Sequence, residues 1–262
     1  MPDLAPHEVY AIRYAHCADR KRAGNFLGGD ERDELMPLDY FVWAIKGRER
    51  SIVVDAAATR EAVIGRGRQW VGSPVEGLAA IGVDAATVGD VVLSHVHWDH
   101  AGGLDFFPAA TFHIQDREMS YVTGPCMCDP QFNAGFEPRD IVRLVERLFE
   151  RRLEFHDGDW SPASGIEAFR VGGHTDGMQI LRVQTRRGPI VLASDASHFY
   201  EHYRSGRFFP FIYDLRATRD GYRRIRELSG DDEGRVIPGH DPLVMGRYPA
   251  VPGAEGRVVR LD

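Results

Sequence analysis

An α/β fold of two β-sheets with helices packed outside them is predicted for this sequence by three observations. Apolar runs of strand length alternate with helical patterns along the chain. Five of those runs lead into an Asp or a His, as if one rim of a sheet sandwich carried a polar site. No internal repeat, low-complexity tract or Pro/Ser-rich linker breaks the pattern, so residues 1–262 read as one domain.

The strands expected from β-branched and aromatic content are, in order, Glu8–Ala15, Tyr40–Ile45, Ser51–Asp55, Asp90–Ser94 and Thr111–Gln115. Ile166–Val171, Gln179–Thr185, Pro189–Ser194 and Arg235–Ile237 complete them. Between them lie helix signals. Ser73-Pro74-Val75-Glu76 supplies an N-cap Ser, Pro at the first helical position and Glu at the third, opening a helix that should end near Gly82. Asp140–Glu150 sets Ile141, Leu144, Val145 and Leu148 on one stripe. Thr218–Leu228 is similar, its Arg219, Arg223, Arg224 and Arg226 forming a solvated face.

Composition narrows the class. Hydrophobic residues make up 43% and charged residues 27%, as in ordinary soluble domains. The net charge of −7 offers no attraction for nucleic acid or an anionic membrane. No apolar stretch approaches a membrane span, and Met1–Glu8 lacks the basic and apolar regions of a signal peptide, so a cytoplasmic location is expected. Cys17, Cys126 and Cys128 are an odd number, the last two in a C-x-C loop, and are expected to be free thiols.

The chemistry concentrates in Ser94-His95-Val96-His97-Trp98-Asp99-His100-Ala101-Gly102-Gly103. His95 and His97 share a face only on extended chain, whereas Asp99 and His100 require the chain to curl back, so the run is a strand ending in a loop. An N/O donor set without thiolate suits a catalytic metal rather than a structural zinc. Four more strand ends deliver Asp55, His174, Asp195 and His240, the histidines preceded by Gly172-Gly173 and Gly239. His95, His97, Asp99, His100, His174, Asp195 and His240 exceed what one zinc takes and suit two ions; Asp195, with two carboxylate oxygens, is the expected bridge.

The motif H-x-H-x-D-H, followed by Gly-His, Ser-Asp after an apolar strand and a late Pro-Gly-His, resembles the metallo-β-lactamase superfamily over nearly the whole chain. Size, spacing and the short N-terminal part are similar to the N-acyl homoserine lactone hydrolase (quorum-quenching lactonase) family. The resemblance implies an αββα sandwich, two mixed β-sheets flanked by helices, around a dinuclear centre. It places one ion on His95, His97 and His174 and the other on Asp99, His100 and His240, with Asp195 bridging and Asp55 bracing the histidine loop. The ions would be zinc, with iron, cobalt or manganese as alternatives.

Two positions depart from the family. Its Asp-x-Gly turn reads Asp55-Ala56-Ala57 here, and the Tyr that follows the bridging Asp by three residues to bind the substrate carbonyl is replaced by His198. Either His198 donates that hydrogen bond or Tyr200 swings in to do so. The expected reaction is opening of an N-acyl homoserine lactone-like ring by a metal-bridging hydroxide, Asp99 passing the proton to the leaving oxygen. Another ester, amide or thioester hydrolysed by the same centre is the alternative, and a metal-binding scaffold or sensor the non-enzyme one. The partner is a small molecule with an apolar portion, with a homodimer left open. Asn25–Asp30 through Met36–Leu38 and the patch Phe208–Tyr213 are candidate covers and walls for it. Gly65-Arg66-Gly67-Arg68-Gln69-Trp70 begins like a dinucleotide fingerprint but ends in Trp and follows no strand–helix step. His113, His156 and His202 have no partners in the pattern and read as ordinary.

Overall fold

Strand Leu38–Lys46 buries every residue but its last, and alternate side chains enter two different cores. Tyr40, Val42 and Ala44 belong to one apolar cluster, Phe41, Trp43 and Ile45 to the other. A strand buried on both faces must lie between two layers, and the period of two along the chain sorts its residues between them. The computed structural model, which describes residues 6–262, has that architecture; Met1–Ala5, part of the stretch expected to lack signal-peptide character, lie outside the described residues.

The strands are β1 (Glu8–Cys17), β2 (Leu38–Lys46), β3 (Ser51–Val54), β4 (Gln69–Trp70), β5 (Asp90–Val92), β6 (Thr111–Gln115) and β7 (Leu153–His156). They continue with β8 (Trp160–Ala163), β9 (Ile166–Arg170), β10 (Gln179–Thr185), β11 (Gly188–Ser194), β12 (Val236–Pro238) and β13 (Val258–Arg260). One mixed sheet has the order β13-β1-β2-β3-β5-β6-β7, with β4 on β1; the other runs β12-β11-β10-β9-β8. The helices are α1 (Arg60–Gly65), α2 (Pro74–Ala80), α3 (Trp98–Ala101), α4 (Asp116–Val122) and α5 (Pro130–Asn133). After them come α6 (Pro138–Phe149), α7 (Tyr200–Ser205), α8 (Leu215–Ser229) and α9 (Leu243–Arg247). The two mixed sheets flanked by helices are the layers expected from the sequence.

Parallel pairing brings the site together. β3 and β5 run parallel with Val54 opposite Val92, so both deliver their next residues, Asp55 and the Ser94-His95 step, to one rim. β11 and β12 are parallel too, with Ser194 opposite Pro238, and hand over Asp195 and His240. A buried amide joins the two sheets: Gln179 donates through Nε2 to the Leu93 carbonyl at 2.7 Å and accepts from Gln115 Nε2 at 3.0 Å.

The sequence reading omits β4, β7, β8 and β13. β7 (Leu-Glu-Phe-His) buries only its first residue, β8 contains Pro162, and β4 and β13 have two and three residues, so none shows an apolar run. β3 and β5 end before Asp55 and Ser94, because Asp55 turns the chain at φ 65° and Ser94 has already left the ladder. α8 begins three residues earlier than its apolar stripe, since the Asp214 side chain accepts the N–H groups of Arg216 and Ala217. α2 begins as expected, Ser73 accepting the Val75 N–H with Pro74 behind it.

Candidate metal centre

Asp55 is fully buried and accepts from both arms of the rim. The Ser94 N–H reaches it at 2.7 Å and the Ser94 hydroxyl at 2.9 Å, the Ser194 hydroxyl at 3.3 Å, and His100 Nδ1 at 2.7 Å. A buried carboxylate with several donors fixes them all, since losing it would strand every one. His100 Nδ1 therefore carries the hydrogen and its Nε2 lone pair faces the rim's centre. Ala57, in place of the family's Gly, is held at φ 62°, in the left-handed region an alanine occupies at a cost of about 1–2 kcal/mol.

The same device orients two further rings. His174 donates through Nδ1 to the Phe211 carbonyl at 2.6 Å, and His240 through Nδ1 to the Asp39 carbonyl at 2.8 Å. Each thereby presents Nε2 inward. His95 Nε2 lies 3.0 Å from His97 Nδ1, which lies 2.8 Å from His174 Nε2. Asp99 Oδ2 is 3.6 Å from His100 Nε2 and 3.5 Å from His240 Nε2. Between these trios stands Asp195, with Oδ1 3.4 Å from His100 Nε2 and Oδ2 3.1 Å from His240 Nε2 and 3.4 Å from His174 Nε2. Donor atoms each about 2.1 Å from a shared tetrahedral ion sit about 3.4 Å apart, close to the 3.1–3.6 Å around Asp99 and Asp195, with the His95-His97-His174 trio drawn somewhat tighter at 2.8–3.0 Å.

The residues fit divalent ions on three counts. His95-His97-His174 and Asp99-His100-His240 are each close enough for one ion, and Asp195 groups with His95 and His100. His100 Nε2 and Asp195 Oδ1 are buried without a hydrogen-bond partner among the described residues. Burial, reinforced by neighbouring imidazoles, holds His95 and His97 well below the usual histidine range, and burial pushes His174 down to about 4, leaving neutral lone-pair donors. For His100 and His240 the burial that opposes charge is outweighed by Asp195 and Asp99, which raise both.

His198 joins this group. Its Nε2 is 3.1 Å from Asp195 Oδ2 without hydrogen-bond alignment, and its ring stacks on Phe209 at 3.9 Å. Burial lowers it to about 4. Tyr200 does not join: its side chain is buried in the second core beneath Arg247, whose guanidinium lies 3.9 Å from the ring centroid. It lines a separate pocket with Met36 and Pro37, because the helical start of α7 turns it away from the rim.

The centre opens into a cavity of about 380 Å³, lined by Tyr40, Trp98 and, of the candidate ligands, His97, Asp99, His174, Asp195 and His240, with Leu38, Pro210 and Phe211 as an apolar wall. Of the patch Phe208–Tyr213, Phe209 is core and Phe208 packs against it, so only Pro210 and Phe211 reach this cavity. Of the other loop, Asn25 and Leu38 line it. His202, buried, donates to the Asn25 carbonyl at 3.0 Å and pins that loop.

Two features escape sequence reasoning. Glu118 is fully buried, accepts the N–H of Val96 and of Gly177 at 3.0 Å each, and is pushed by burial up to about 7. It ties the His95–His100 loop to the His174 loop, yet Asp-Arg-Glu at a helix start reads as solvent-facing. His113 and His156, 43 residues apart, meet at 3.1 Å across β6 and β7 beside Glu154. Asp90 accepts from His113 at 3.1 Å and His156 stacks on Trp160, so the cluster has its own internal partners. Cys17, Cys126 and Cys128 are free, as expected.

Two glycines allow the histidine loops to approach. Gly173, at φ 95°, leaves no room for a Cβ, which would lie 2.7 Å from the Thr218 nitrogen. A Cβ on Gly239 would lie 2.3 Å from Asp195 Oδ1 and 2.8 Å from the Ser194 carbonyl oxygen. Gly239→Ala is expected to push the carboxylate out of place, lowering metal affinity roughly 10- to 100-fold and stability by about 1–3 kcal/mol. Chelator competition and thermal melting measure the two effects; unchanged affinity would show that Asp195 does not set it.

Comparison with known proteins agrees with this geometry. Residues 35–240 match the Metallo-beta-lactamase superfamily. The chain is 28% identical over 177 residues to N-acyl homoserine lactonase AttM of Azorhizobium caulinodans, an alignment covering 66% of each chain. It is 25% identical over 227 residues to an N-acyl homoserine lactonase of Bacillus sp, covering 79% of this chain and 83% of that one. In fold it resembles an N-acyl homoserine lactone hydrolase with N-hexanoyl-L-homoserine at its catalytic metal centre, with TM-score 0.76 and 20% identity over 95% of this chain and 98% of that one. The dizinc lactonase AidC is similar at TM-score 0.70 and 17% identity, covering 92% and 89%.

Proposed function

The chain belongs to the metallo-β-lactamase superfamily, and from that premise we propose that it is a dinuclear metal-dependent hydrolase that opens a lactone ring. The observation that carries the reading is Asp195, whose two oxygens face donors of both ligand trios. His95, His97 and His174 would hold one divalent ion, Asp99, His100 and His240 the other, and Asp195 both. Zinc suits this N/O set, as do iron, cobalt and manganese. Two such ions supply a hydroxide nucleophile at neutral pH and polarise the carbonyl.

The chain's own residues do the rest. Asp55 keeps His100 in the tautomer that offers Nε2. Asp99, nearly buried at the cavity floor, is placed to give a proton to the leaving ring oxygen. His198, neutral and stacked on Phe209, has one N–H to donate to the lactone carbonyl. Leu38, Pro210 and Phe211 shelter the apolar part of the substrate. Because both sheets contribute ligands, residues 1–262 act in this reading as one domain.

The test is proton release from a panel of lactones, esters, thioesters and β-lactams by protein of measured metal content. Lactone turnover is expected, with N-acyl homoserine lactones the first to be tried; silence on every lactone with turnover of another class would overturn the substrate but not the centre. His198→Phe keeps the stacking surface and removes the donor. It is expected to lower kcat by about 10²-fold with metal content intact, and unchanged kcat would remove His198 from the reaction.

A further inference from the structure

One wall of the cavity has no role in opening a neutral ring. Arg20, Arg66 and Arg68 all line it. Arg66 lies 4.9 Å from the Trp98 ring centroid and pairs with Glu137. Arg68, half-buried, uses Nε to donate to the Tyr40 hydroxyl at 2.9 Å, and has no carboxylate within 4.0 Å among the described residues. Arg20 is likewise without one; its Nε donates to Asn25 Oδ1 at 2.9 Å and an Nη to the Gly24 carbonyl. Unpaired arginines on open surface are commonplace, but these converge in a concave site beside the reacting centre.

The wall runs directly to that centre. Tyr40, which holds Arg68, is 4.9 Å from the His240 ring and 5.7 Å from Trp98. Among the described residues, the only carboxylates lining the cavity are Asp99 and Asp195, both assigned above to metal ions. The guanidiniums of Arg20 and Arg68 therefore have no carboxylate partner among the described residues, whereas Arg66 is paired with Glu137. A guanidinium fork matches a carboxylate through two parallel N–H···O bonds, and in a partly desolvated site such bonds are strong. The cavity volume of about 380 Å³ is at the small end for ligand sites.

We infer that the substrate is a compact acidic lactone whose carboxylate is bound by Arg68, with Arg20 and Arg66 beside it, while its ring packs against Leu38, Pro210 and Phe211. This rests on the lactone reading above and specifies its substrate. Hydrolysis breaks the acyl C–O bond. The carbonyl carbon takes the oxygen of water and becomes a second carboxylate, the ring oxygen keeps one proton as a hydroxyl, and the other proton is released.

The test uses metal-loaded protein with 5-oxotetrahydrofuran-2-carboxylate and its neutral carboxamide. The acid is expected to have the higher kcat/KM by on the order of 10- to 100-fold, the range of hydrogen bonds to a charged group. Arg68→Gln should erase that preference through KM while leaving carboxamide turnover within about threefold. Equal rates on both substrates in the unaltered protein, or an equal loss on both in Arg68→Gln with metal content retained, would overturn the inference and leave the lactone reading standing. Calorimetric binding of glutarate and its monoamide decides the case in which neither lactone is opened. Tighter glutarate binding that Arg68→Gln abolishes would keep the anion wall, and equal binding would overturn it; the lactone reading itself is decided by the lactone panel above.

Discussion

Asp195→Asn should reduce bound metal from two ions to one or none per chain and lower turnover by about a thousandfold. The substitution preserves shape, so the cause is confined to charge and to the second anionic oxygen. Asp195 is buried among His95, His100, His174, His198 and His240, and its Oδ2 alone lies within 3.4 Å of two of the proposed ligand rings. Burial would raise its carboxyl, but His240 and His100 outweigh that and hold it well below the ordinary range. An amide offers one neutral oxygen and an N–H that repels a cation, which leaves Asp99 as the sole carboxylate for two ions. Metal analysis by mass spectrometry and turnover on the same sample check the result. Two ions retained with full activity would eliminate Asp195 as the bridge.

The ligand set was legible because chemistry and local geometry coincide in the chain. His95, His97, Asp99 and His100 occupy six positions at a strand end, and parallel β3–β5 and β11–β12 pairs place their following residues at one rim. The strands of both cores were legible for the related reason that β2 and β11 carry long apolar runs and β10 an apolar set at Ile180, Leu181 and Val183. The edge strands β7 and β8 were not, since they gain their order from pairing rather than from burial. Nor could spacing say whether His198 or Tyr200 faces the centre. The segment between Asp195 and α7 has no regular period, and the outcome depends on Phe209 arriving from elsewhere to stack on His198. Glu118 shows the same limit. Its donors come from Val96 and Gly177, 22 and 59 residues away, and only the folded chain makes it an internal brace. The arginine wall was visible as a sequence oddity, Gly-Arg-Gly-Arg, but acquired meaning only when the cavity formed around it.

Asp55→Ala is expected to cost about 3–5 kcal/mol, even in protein stripped of metal by chelation. The Ser94 N–H, the Ser94 hydroxyl and His100 Nδ1 would lose their acceptor at a place with no solvent exposure, and only the hydroxyl has another partner, Ser194 Oγ at 2.9 Å. An unsatisfied buried donor costs about 1–3 kcal/mol, so two of them account for most of the loss. The backbone adds to it. Position 55 sits at φ 65°, which Asp tolerates better than Ala. For a chain of this size the melting temperature should fall by roughly 10 °C. Asp55→Asn retains one oxygen and tolerates the same φ, so it should recover part of the loss. Metal affinity should drop about 10- to 100-fold on top, because His100 could then take the other tautomer and turn its hydrogen toward the ion. Melting with and without metal separates the two effects. A metal-free variant that melts within about 2 °C of the parent would show that the four-donor hub contributes to orientation alone, whereas equal losses in both states would show that it contributes to folding alone.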